Sequence, residues 1–96
     1  MYDEILFAIL EYINDLKQTA SYWNKELFQQ QAYSLWAAKE IYFRLAKNET
    51  YSPAYLVEDF ANKMDDYACK RKETSFMFSI AHDVAIDILD LIYCTM

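Results

Sequence analysis

Residues 76–96 read FMFSIAHDVAIDILDLIYCTM, and the architecture of the chain turns on this stretch. Wound as a helix, it gathers Ser79, Asp83, Asp87 and Asp90 on one narrow strip. Met77, Ile80, Ala81, Val84, Ala85, Ile88, Leu89, Leu91 and Ile92 cover the remainder. That apolar arc is wider than an ordinary surface helix carries, so the segment needs neighbours on more than one side.

Three further helical segments can supply those neighbours. In the first, residues 2–18, Ile5, Leu6, Ile9, Leu10, Tyr12, Ile13 and Leu16 share one face, while Glu4, Glu11, Asp15 and Gln18 share the other. Asp3 and Glu4 suit the positive end of its dipole and Lys17 the negative end. Phe7 projects from the polar side. Thr19, Ser21 and Asn24 are each possible N-caps for a second helix, yet no breaker separates the segments, so a single bent helix is the alternative to a short break.

The second segment spans residues 24–47, with Asn48 as its C-cap. One face holds Leu27, Phe28, Leu35, Ala38, Ile41, Tyr42, Leu45 and Ala46. On the opposite side Gln29, Trp36 and Phe43 recur every seven residues, flanked by Ala32, Tyr33, Lys39 and Glu40. Ser52-Pro53 is a strong start signal for the third helix, residues 53–71, with serine as the cap and proline in the first turn. Leu56, Val57, Phe60, Ala61, Met64, Tyr67 and Ala68 form its buried stripe, and Lys70, Arg71 and Lys72 cluster at its negative end. Thr74 or Ser75 caps the fourth helix, residues 75–94. The expectation is all-α: one domain over residues 1–96, folded as a compact four-helix antiparallel bundle.

Composition supports this. Hydrophobic residues make up 55% and aromatics 18% of the 96 residues, too apolar for disorder. There is no glycine and one proline, which deprives hairpin turns and phosphate-cradling loops of the residue they depend on. The net charge is −6, from nine Lys or Arg against fifteen Asp or Glu, and residues 33–64 are neutral while the thirds on either side carry −3 each. Direct nucleic-acid binding wants the opposite sign. Asp83, Asp87 and Asp90 interrupt the apolar C-terminal run, so no membrane span is expected. The acidic start MYDE is unlike a signal peptide, and a soluble, cytoplasmic protein is expected. Cys69 and Cys94 lack metal spacing, and antiparallel final helices would hold them roughly 25 Å apart at 1.5 Å per residue. Reduced thiols are expected.

His82-Asp83 resembles the His-Asp pair of all-α phosphohydrolases of the HD superfamily, which implies metal chemistry. With a single histidine in the chain, that metal set cannot be built within one subunit. Asp83, Asp87 and Asp90, with Glu58, Asp59, Asp65 and Asp66 on the third helix, are similar to the acids of helical NTP pyrophosphatases of the MazG type, which hold magnesium between neighbouring helices. The ExxE pairs of that family are missing here. Acid spacing on its own says little about Mg²⁺, which keeps most of its waters. A thiol mechanism at Cys69 would have only His82 as its base.

Trp36, Phe43 and Tyr33, with Lys39 and Glu40 beside them, are the strongest candidates for a binding surface. Aromatic residues bury much area at little entropic cost and are enriched where proteins meet. The expectation is a non-enzymatic protein–protein interaction module without metal or cofactor, of a size and character common among small bacterial or mobile-element proteins. Its partners would be itself, as a homodimer through the second helix, and an unidentified protein. The acids Glu58, Asp59, Asp65, Asp66, Asp83, Asp87 and Asp90 could give phosphate-like spacing for inhibiting or regulating a basic, nucleic-acid-binding protein. The alternative is a metal-dependent nucleotide hydrolase, which requires those carboxylates to converge in a cleft.

Overall fold

Ser52 stands outside the helix it starts. Its Oγ accepts the Tyr55 N–H at 3.2 Å and its carbonyl accepts the Leu56 N–H at 3.2 Å. Such a cap is worth about 1 kcal/mol over alanine. The computed structural model describes residues 2–18, 25–47, 51–70 and 75–95. These form four helices: α1 (Tyr2–Gln18), α2 (Lys25–Ala46), α3 (Pro53–Lys70) and α4 (Ser75–Thr95). Lys47 adds a turn, its N–H reaching the Phe43 carbonyl at 3.2 Å. At the far end, the Thr95 hydroxyl donates to the Leu91 carbonyl at 2.8 Å. The proposed caps Thr19, Ser21, Asn24, Asn48 and Thr74, and the basic residues Arg71 and Lys72, lie outside the described residues.

The four helices assemble into an all-α bundle. The choice between one bent helix and two is resolved, because α1 packs back along α2 and the Gln31 side-chain amide donates to the Leu16 carbonyl. The bundle is not square. Its most extensive contact joins α3 to α4, α2 packs closely on α4, and no substantial contact joins α1 to α3. The section is therefore a flattened diamond, with α2 and α4 across its short diagonal and α1 and α3 at its far corners. The molecule measures 38 × 32 × 21 Å. The C-terminal helix does touch all three others, but α2 shares that central place.

Small side chains make the short diagonal possible. Ala37 and Ala38 of α2 and Ala81 and Ala85 of α4 are all fully buried, and without bulk beyond Cβ the two backbones can approach closely. Ile9, Ile41, Leu45, Val57, Phe60, Ile88 and Ile92 complete the sealed centre. Packing alters several faces expected from periodicity. Leu10, Phe28 and Ala46 lie at the surface rather than inside, and Tyr67 is more than a third exposed. Ala37 and Phe78, assigned to no face from the sequence, are buried. The side chain of Leu27 lies outside the described residues.

Candidate interaction surface on the second helix

At 100° per residue, Phe28, Ala32, Trp36, Lys39 and Phe43 fall within an arc of about 80° on α2, opposite the buried Ala38, Ile41 and Leu45. The arc faces outward: Phe28 is 47%, Trp36 38% and Phe43 55% exposed. Three large rings thus lie along one side of one helix, spread over about 22 Å at 1.5 Å per residue. Isolated exposed rings are ordinary, whereas a contiguous row of them marks a candidate binding face.

Tyr33 does not belong to this row. It is half-buried, and its ring meets Phe76 at the start of α4 edge-on, with centroids 6.3 Å apart and planes at 75°. Phe43 is braced by Tyr42, 5.8 Å away at 76°. Glu40 is half-buried and faces Arg44 at 4.0 Å. The Arg44 guanidinium in turn lies 5.1 Å from the centroid of Phe60 and ties α2 to α3. Lys39 stands exposed among the rings.

Phe28 is the member that periodicity assigns to the core. Eight residues separate it from Trp36, a spacing that returns to within about 80° on a helix; that return is the available signal. The neighbouring edge of α1 extends the surface. Tyr12 points from α1 toward α4, so Leu10, about 160° away around the same helix, is on the side that turns to α2. Leu10 is 40% exposed.

Charge also sets α2 apart. Lys25, Lys39 and Arg44 against Glu26 and Glu40 leave it at +1, whereas α1, α3 and α4 are each acidic. The acids do not form a single row. Asp59 pairs with Lys63 at 2.9 Å and Asp66 with Lys70 at 3.0 Å. Glu58 accepts the Tyr93 hydroxyl at 3.3 Å on the α3 side of α4, and Asp87 accepts the Tyr12 hydroxyl at 3.2 Å on the α1 side. Asp65, Asp83 and Asp90 are exposed. Among the described residues, no three His, Cys, Asp or Glu side chains are grouped to hold a metal ion. His82 is half-buried, and its Nδ1 comes within 3.8 Å of Asp83 Oδ1, nearer than their separate helical directions suggest but beyond hydrogen-bonding distance. Cys69 and Cys94 are free, exposed thiols. Among the described residues, no helix is long and apolar enough to cross a membrane.

The two tyrosine–carboxylate bonds perturb the phenols. Burial foremost, then the Asp87 charge and hydrogen bond, push Tyr12 up from 10.0 to about 12. Tyr93 is raised chiefly by the charge of Glu58. A phenol whose pKa is higher folded than unfolded gives stability that is fully present below pH 10 and fades as pH climbs through 12. Alkaline titration followed by phenolate absorbance should therefore show late-ionising tyrosine, the latest component of which disappears in Tyr12→Phe. If that variant titrates like the parent, the assignment is wrong.

No family model, no curated protein and no solved structure matches this chain.

Proposed function

We propose that this chain is a protein-interaction module without catalytic chemistry of its own, and that it associates with a second copy of itself through the outer face of α2. The observation that carries this reading is the exposure of Trp36 and Phe43, joined by Phe28, along one side of a helix whose other side is already buried. Tryptophan is among the residues that carry most of the energy of a contact, and phenylalanine is enriched in such contacts. A two-fold pairing of like surfaces is the commonest arrangement for such a face. Charge favours the same face, since two chains of net charge −6 repel at long range and α2 is the helix with no negative excess.

Light scattering or sedimentation equilibrium at tens of micromolar should give twice the chain mass of 11.5 kDa. The double variant Trp36→Glu, Phe43→Glu should give the single-chain mass with its helical circular dichroism retained, because both positions lie on the surface. A wild-type chain that runs as a monomer at those concentrations overturns the proposal.

A further inference from the structure

Resting on the self-association just proposed, we infer that the two copies meet antiparallel, with the two-fold axis passing beside Trp36. The row of rings is close to palindromic: Phe28 lies eight residues before Trp36 and Phe43 seven after. On the helix these steps are about 12 and 10 Å. When two such helices are laid head to tail with Trp36 at the centre, Phe28 comes against the partner's Phe43 at one end, and Phe43 against the partner's Phe28 at the other. One kind of ring contact is thus made twice, as an isologous interface requires.

The residues between the rings suit this register. Ala32 then faces the partner's Lys39, and its short side chain leaves room for the lysine stem. A parallel pairing would instead bring Lys39 against the partner's Lys39, like charge on like charge. The antiparallel arrangement also opposes the two helix dipoles. A stable contact buries about 800 Å² per partner. One helix face about 22 Å long provides part of that, and Leu10 on the side of α1 that turns to α2 is placed to widen it.

Cross-linking tests the register in the full chain. Cys69 and Cys94, both exposed, are first changed to serine. Ala32→Cys and Lys39→Cys are then introduced separately into that background. Under mild oxidation, the mixture of the two chains should form a covalent dimer roughly ten-fold faster than either chain alone, since only the mixed pair falls within disulfide reach. Chains that cross-link as fast alone as mixed indicate a parallel or different pairing and overturn the register. A dimer mass by light scattering with no cross-link in any sample overturns it too, while leaving self-association standing. A monomer mass removes the reading beneath both.

Discussion

Phe60→Ala should lower the unfolding free energy by about 3–5 kcal/mol. The ring is 1% exposed, and the void left by its removal lies between α3 and its neighbours. The substitution also deprives Arg44 of the aromatic face its guanidinium approaches. Domains of this size have about 5–15 kcal/mol of stability in total, so much of the fold's margin would go. Urea unfolding monitored by helical circular dichroism reads the change directly. Phe43→Ala is the matched control: the same deletion on an exposed face should shift the midpoint little in the monomeric state, within about 0.5 kcal/mol. Equal losses at the two positions would mean that the assignment of inside and outside on these helices is mistaken.

Ala85→Leu tests how tightly α4 is packed in the centre of the bundle. Ala85 has no exposed surface and belongs to the set of buried alanines on α2 and α4. A larger side chain there has to displace its neighbours or adopt a poor rotamer. Overpacking costs about 1–3 kcal/mol. Leucine is as good a helix former as most residues, so a loss of that size cannot be laid to helix propensity. Substitution by leucine at the exposed Asn62 of α3, away from the outer face of α2, should be nearly neutral. If Ala85→Leu is neutral as well, the packing around α4 is looser than the burial of Ala85 implies.

The helices themselves are legible from local signals. Periodicity locates the apolar sides of α1 and α3, Ser52-Pro53 marks the start of α3, and the polar strip of α4 emerges exposed as expected. What periodicity cannot supply is how far a neighbouring helix reaches around a given face. Leu10 sits at the margin of its apolar arc, and such a position is buried or bare according to where the next axis lies. In a square bundle more of that margin would be covered. The flattened section leaves Leu10 partly open, whereas Phe28 is exposed because helical spacing itself sets it on the outer side of α2, opposite Ile41 and Leu45. Tyr33 departs in the other direction, because Phe76 of α4 covers it from 43 residues further along the chain. The Tyr12–Asp87 bond, between residues 75 apart, has no local signature at all.

For the candidate surface, Trp36 and Phe43 can be named from their seven-residue spacing alone, and both are exposed. The acids can be named too, but not their dispersal. Asp59 and Asp66 have lysines one turn away, a pairing readable in the sequence, and exposed pairs of this kind contribute little to stability. Glu58 and Asp87 are drawn to opposite flanks of α4 by tyrosines on different helices. That separation comes from the three-dimensional packing and from nothing nearby in the chain.

The central position of α4 bears on how the protein is made. Translation delivers α1, α2 and α3 before it, yet Phe78, Ala81, Val84, Ala85, Ile88 and Ile92, the side chains that close the centre, arrive only with the fourth helix. Until then the sides of α1, α2 and α3 that α4 covers stay open, and a chain stopped short of α4 should be prone to aggregation.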